Sequence, residues 1–211
     1  MCTYRRIATV PEIVLATQNN GKVREFAALF AGLPIRLITA RDAGITSFPP
    51  ETGETFAANA RAKAVYVTAQ TGRATIADDS GLAVDALHGA PGVYSARYGG
   101  ADASDTDRCT LLLAALRETP AAERTARFIA AIALSLPDGT LMESEGRLEG
   151  SITYAPCGMN GFGYDPIFAV AGTNLTLAEL TDDEKNGISH RARALDLLRP
   201  RLLAIVPLLE G

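Results

Sequence analysis

The chain has 211 residues, 47% of them hydrophobic and 21% charged, which suits one domain, or one domain with two lobes around a cleft, and leaves no room for wholesale disorder. A net charge of −4 argues against a protein that clamps a nucleic-acid backbone, which needs a basic face. It still permits a small phosphorylated ligand, provided that a few cations converge and a divalent metal intervenes.

The three cysteines, Cys2, Cys109 and Cys157, lie far apart, and neither His88 nor His190 completes a zinc spacing; reduced thiols of a cytoplasmic protein are the reading they fit. Residues 1–12 read as an N-terminal extension without a signal peptide's apolar run. Leu111–Leu116, the most apolar tract, is far short of a membrane span.

In chain order, Ile13–Thr17 reads as a buried strand and Asn19 or Asn20 as the cap of a helix that Gly32 stops. Ile35–Ala40 reads as a second strand. After a Pro- and Gly-containing loop, Glu54–Gln70 reads as a helix ending at Gly72. Ala74–Ala77 is a short strand that runs into an Asp78–Gly81 loop, and Leu82–Leu87 is strand again. Gly89–Gly100 is irregular, Asp105–Glu118 is a leucine-rich helix, and Phe128–Leu136 with Thr140–Glu149 forms a hairpin turning at Asp138-Gly139. Ile188–Val206 closes the chain as a helix interrupted near Pro200. The order of elements predicts an α/β layer arrangement.

Four polar clusters sit where apolar elements end. In Thr17-Gln18-Asn19-Asn20-Gly21-Lys22, backbone N–H groups at a helix start, with Lys22 beside them, suit a phosphate, although the same residues also make a plain capped turn. The Walker A spacing is absent. In Asp78-Asp79-Ser80-Gly81, adjacent extended residues face opposite ways, so at most one carboxylate enters a cleft as metal ligand or base while the other braces the loop. A solvated turn is the alternative.

Gly158 to Pro166 alternates glycines with Phe162 and Tyr164, which lets backbone approach a flat ligand while the rings supply a face for stacking; a tight turn with two core aromatics is the other reading. Ser189 suits the cap of the last helix. His190 and Arg191 then stand in its first turn, where cations are disfavoured unless an acceptor is near.

These clusters together resemble a nucleotide site, and the stretches that contain them resemble one family. A-T-Q-N-N-G-K-V-R-E at Ala16–Glu25, E-T-G-E-T-F at Glu51–Phe56, N-A-R-A-K-A at Asn59–Ala64 and I-A-D-D-S-G-L-A-V-D-A-L at Ile76–Leu87 are similar to the inosine/xanthosine triphosphate pyrophosphatases. So are G-A-P-G-V-Y-S-A-R-Y at Gly89–Tyr98, G-F-G-Y-D-P-I-F at Gly161–Phe168 and E-K-N-G-I-S-H-R at Glu184–Arg191, so the resemblance runs from Ile13 to about Leu198. One departure is Ala58, where the family usually carries an acid.

The resemblance implies an elongated mixed β-sheet with flanking helices, and a single domain over 1–211 whose two lobes enclose a central nucleotide cleft. It also implies a cytoplasmic homodimer with no nucleic-acid or membrane partner. The implied activity is hydrolysis of non-standard purine triphosphates (ITP, dITP, XTP) to monophosphate and pyrophosphate, with Mg2+ held by Glu51 and Asp79 and with Asp79 as the base. Asp78 would support either task. Lys22, Lys63 and Lys185 would neutralise the triphosphate, with Thr17, Gln18, Asn19, Asn20 and Gly21 forming the loop around it. Ser80 would contact substrate beside the base, Phe162, Gly163, Tyr164 and Asp165 would line the nucleoside pocket, and His190 and Arg191 would read the purine edge. A pyrimidine-directed pyrophosphatase and a non-catalytic nucleotide sensor are the rival classes.

Overall fold

The computed structural model describes residues 10–209; Cys2 and most of the expected N-terminal extension lie outside them. Six strands form one mixed sheet in the order β2-β1-β3-β4-β5-β6. They are β1 Glu12–Leu15, β2 Arg36–Thr39, β3 Thr75–Val84, β4 Thr125–Ser135, β5 Leu141–Ile152 and β6 Phe168–Val170. β1 runs parallel to β2 and to β3, and every later pairing is antiparallel. The α-helices are α1 Asn20–Leu29, α2 Phe56–Thr71, α3 Asp105–Ala115, α4 Asp182–Ile188 and α5 His190–Ile205. No helix among the described residues is long and apolar enough to cross a membrane.

The period-2 alternation of a strand divides the core between two faces. Ile13 and Leu15 of β1 and Ile76 of β3 turn to one face, where Phe26 of α1 and Leu195, Leu198 and Leu202 of α5 cover them. Val14, Ala16 and Ala77 turn to the other, under Ala60, Ala64 and Val67 of α2. A third cluster caps the far ends of β3, β4 and β5, where Leu82, Phe128 and Leu148 meet Leu112 and Leu116 of α3. β5, with 12 residues, extends roughly 40 Å, which is why helices at its two ends build separate cores.

Two sequence expectations need correction. Asp78–Gly81 is no loop: β3 is continuous and paired with β4 from Thr75↔Ser135 to Val84↔Ala126, and the Asp78 carbonyl, on the other edge, accepts from Lys63 Nζ. The strand ends at Val84, and Asp85–Leu87 is a 3₁₀ turn. α5 is also unbroken at Pro200. Pro200 is exposed, whereas Leu198 and Leu202 on either side are fully buried, and their packing holds the helix in line against the lost hydrogen bond.

α4 was not expected, although Thr181 and Glu184 form a capping box visible in the sequence as T-x-x-E. Two close approaches then fix α5. A Cβ added at Gly146 of β5 would strike the backbone of His190 and Ala194, and Ser144 Oγ donates to the Ala194 carbonyl at 2.8 Å. The first turn of α5, with His190 and Arg191, is thereby set close over the sheet.

Candidate functional site

β1 ends at Leu15 and pairs with β3 only as far as Ile76. Beyond that point β1 no longer pairs with β3, whose edge there meets Lys63 at the Asp78 carbonyl, Ser95 at the Leu82 N–H and Pro91 at Ala83, and α1 and α2 cover opposite faces of the sheet. Clefts at the carboxyl end of a parallel strand, where the connections diverge to opposite faces, are where α/β sheets bind ligands. A cavity of about 350 Å³ lies there, lined by Asp79 and Ser80 of β3 among others.

The structure brings most of the expected residues together. Thr17, Gln18, Asn19, Lys22, Glu51, Lys63, Asp79, Ser80, Phe162, Gly163, Tyr164, Asp165, His190 and Arg191 all line this cavity. Asn20, Gly21 and Lys185 do not. Asn20 is exposed as the first residue of α1. Gly21 is buried, and a Cβ there would lie 2.6 Å from the Phe162 ring, so its job is to seat that ring. Lys185 and Gly21 line a neighbouring cavity of about 380 Å³, with Phe162 as the wall common to both.

The phosphate-loop residues cap α1 in the way their chemistry dictates. Asn19 Oδ1 accepts from the Lys22 N–H at 3.1 Å, and Thr17 Oγ1 accepts from the Asn19 N–H at 3.2 Å. Lys22 Nζ stands 2.6 Å from Asp78 Oδ2. Burial lowers the Lys22 pKa, against the pull of Asp78. Burial would push Asp78 up, but Lys22 and Arg191 outweigh it and hold this carboxylate far below its ordinary range.

On the other face of β3, Asp79 Oδ2 accepts from Asn59 Nδ2 at 2.9 Å, and Oδ1 lies 3.6 Å from Lys63 Nζ. Lys63 donates to Glu51 at 2.8 Å and to the Asp78 carbonyl at 2.8 Å. Burial raises the Asp79 pKa despite Lys63 and Lys22, and Glu51 adds to the rise. Glu51 is itself held below its usual range, because Lys63 outweighs desolvation. Its other oxygen receives Arg97 Nη1 at 3.3 Å. Among the described residues no three His, Cys, Asp or Glu side chains converge on one point. Glu51 and Asp79 instead offer two carboxylates around one ammonium, the donor number that a hard divalent ion takes when water and substrate oxygens supply the rest.

Arg191, 4% exposed, donates to Glu25 at 2.7 Å and to Ser80 Oγ at 2.6 Å, with Asp78 at 3.4 Å. A guanidinium has five N–H donors, so two remain. Lys185 pairs with Glu25 at 2.7 Å and with Asp165. It lies 4.7 Å from the Phe162 ring centre and is turned away from the main cavity. Asp165 is raised by desolvation despite Lys185, and its Oδ2 accepts from the Phe162 N–H at 2.8 Å. Tyr164 Oη donates to the Ser95 carbonyl at 2.9 Å, which ties the glycine-aromatic loop to the segment after β3.

His190 is different from all of these. It is 2% exposed, stacked on Phe128 with ring centres 4.9 Å apart, and neither ring nitrogen has a hydrogen-bond partner. Burial, with Arg191 adding to it, keeps its pKa well below 6.5, so the ring is neutral and offers one donor and one acceptor at the cavity wall. A buried polar group without a partner is costly, and a ligand that pairs with it recovers that cost.

Several residues of the site carried no assigned role in the sequence. Glu25, Asn59 and Arg97 lay within the quoted motifs, where a buried acid on α1 and an amide on α2 were the available signals. Asp105 and Arg108 of α3 line the cavity too, and Asp105 accepts from the Gly163 N–H at 2.7 Å. No local pattern announced that contact across 58 residues. Ala58 is exposed and off the cavity wall, so the missing acid removes nothing from this lining.

The sequence profile of the Ham1 family matches residues 13–201. A dITP/XTP pyrophosphatase from Exiguobacterium sibiricum is 47% identical over 191 residues, which cover 90% of this chain and 96% of that one. The solved structure of a HAM1 protein from Coxiella burnetii superposes with a TM-score of 0.83 at 43% identity, covering 91% of this chain and 98% of that one. A nucleoside-triphosphatase, dITP/XTP pyrophosphatase, from Mycobacterium abscessus matches with a TM-score of 0.71 at 45% identity, covering 90% and 99%. With that profile, that identity and that coverage, the chain belongs to the Ham1 family.

Proposed function

We propose that this protein hydrolyses non-standard purine nucleoside triphosphates, those of inosine, deoxyinosine and xanthosine, to the monophosphate and pyrophosphate. The observation that carries the reading is the lining of one cavity, which combines lysines and a carboxylate pair with an unpartnered neutral His190 beside Arg191. That combination suits a triphosphate and a purine edge, and the activity for which the relatives are named agrees with it.

Asp79 is the residue best suited to take a proton from the attacking water. Asn59 fixes one of its oxygens, and burial makes the carboxylate more basic than an ordinary aspartate, which favours general-base work near neutrality. Lys22 and Lys63 offset charge on the phosphate oxygens as it shifts in the transition state. Thr17 and Asn19 aim the loop, and Ser80 stands beside the base. Glu51 and Asp79 would hold a magnesium ion, which when bound supplies further charge neutralisation on the phosphates.

Inosine and xanthosine present an acceptor oxygen at the purine six position, whereas adenosine presents an amino donor. The two spare N–H groups of Arg191 and one N–H of His190 suit the oxygen and oppose the amino group. The same reading carries a homodimeric, cytoplasmic enzyme built as one two-lobed domain, with no nucleic-acid or membrane partner; light scattering on the purified chain tests the dimer. The activity is tested by kcat/KM for inosine, xanthosine, guanosine and adenosine triphosphates beside a pyrimidine set. A preference for the first two supports the reading. Preference for pyrimidines, or binding without turnover, overturns it.

A further inference from the structure

Asp78 is buried at the centre of the site yet touches no cavity wall. One oxygen, Oδ2, serves two cations that line the cavity: Lys22 Nζ at 2.6 Å and Arg191 Nε at 3.4 Å. The same oxygen accepts from Ser80 Oγ at 3.1 Å, and Ser80 accepts from Arg191 Nη2 at 2.6 Å. The backbone carbonyl of Asp78 holds Lys63. Among the described residues Lys22 has no other carboxylate within ion-pair reach, whereas Arg191 also has Glu25.

A carboxylate oxygen shared by two cations cannot be indifferent to either. When a base oxygen draws Arg191 toward it, the guanidinium relaxes its hold on Asp78, and Asp78 is left to fix Lys22. An amino group at the same position repels Arg191 back onto Asp78, and Lys22 loses part of its anchor. We infer that Asp78 is a positioning residue that couples recognition of the purine edge to alignment of the triphosphate, so that base preference is expressed in kcat as well as in KM.

The inference rests on the function proposed above, and the experiment separates the two. kcat and KM are measured for inosine and adenosine triphosphates on the native enzyme, Lys22→Ala, Asp78→Asn and the double variant. The expected result is that Lys22→Ala reduces the kcat preference for inosine by roughly tenfold, within the range of site-to-site couplings. Asp78→Asn should reduce it similarly, leave the KM preference that His190 supplies, and make a further Lys22→Ala change without effect on kcat preference. A kcat preference equal in Lys22→Ala and the native enzyme overturns the coupling, and that arm keeps Asp78 intact whatever the folding of its variant. A native enzyme that leaves inosine triphosphate unhydrolysed overturns the proposed function and this inference with it. Turnover with additive effects overturns this inference alone.

Discussion

Asp78 and Asp79 are neighbours in the chain, and the strand turns them apart: Asp78 meets Lys22 at 2.6 Å on one face, and Asp79 lies 3.6 Å from Lys63 on the other. The alternation of side chains along β3 puts Asp79 on the cavity lining, while Asp78 lies outside that lining. Two identical side chains thereby acquire different work. Asp79→Asn is isosteric and removes charge and basicity, so turnover should fall roughly 10²–10⁴-fold with the fold retained. Steady-state rates and a thermal melt check both halves, and near-native kcat would strip Asp79 of its role.

Glu51 should behave differently from Asp79. It is held by Lys63 and Arg97 and contributes a charge without facing a proton-transfer task. Glu51→Gln is expected to raise the magnesium concentration giving half-maximal rate, with a smaller loss at saturating metal. Titration of the rate with magnesium reads this directly. An unchanged titration curve removes Glu51 from the metal site.

His190 makes the ligand-free protein sensitive to mild acid. In the folded chain its pKa lies well below 6.5, and in the unfolded chain it lies near that value. Between the two the unfolded chain binds more protons, so stability falls as pH drops through that window, by up to ~1.4 kcal/mol per pH unit. Asp79 and Asp165, whose carboxyls burial raises, act in the opposite sense. Melting curves of the native protein and of His190→Phe isolate the histidine's part. The native Tm should drop further than that of the variant between about pH 7 and about pH 5. Parallel curves would mean that the ring is protonated in the folded state.

Much of the architecture was legible because local rules governed it. Asn19 capping α1, Gly72 ending α2 and the turn at Asp138-Gly139 each follow from one or two residues, and all three stand in the structure. The reading failed where tertiary partners override local chemistry. Asp78 and Asp79 look like a turn because two adjacent charges are poor strand residues, but Lys22, Arg191 and Lys63 neutralise them from three helices that meet at β3 only in the folded chain.

The site shows the same division. Motif residues with an obvious charge or hydroxyl were nameable in advance, and the cavity gathers most of them. Glu25 and Asn59 act by holding Arg191 and Asp79, a task that exists only once α1, α2, β3 and α5 are packed. Lys185 was expected at the triphosphate because the family resemblance implied it. Its neighbours Glu25 and Asp165 instead turn it behind Phe162.

Gly21 supplies a test of that last arrangement. The Phe162 ring rests where a Cβ of residue 21 would be, at 2.6 Å, and the ring atoms concerned are not the free end of a flexible chain. Gly21→Ala should displace the ring and raise KM for inosine triphosphate several-fold, with a smaller effect on kcat. A variant with native KM would show that the ring's seat is immaterial to substrate binding.

The central claim is the cleavage of the bond between the α- and β-phosphates of a non-standard purine triphosphate, and one measurement addresses it directly. Inosine triphosphate is incubated with the native protein and magnesium, and the phosphorus products are resolved by anion-exchange chromatography. Equal amounts of inosine monophosphate and pyrophosphate are expected, with adenosine triphosphate under the same conditions almost untouched. Inosine diphosphate with orthophosphate, or equal hydrolysis of both nucleotides, would contradict it.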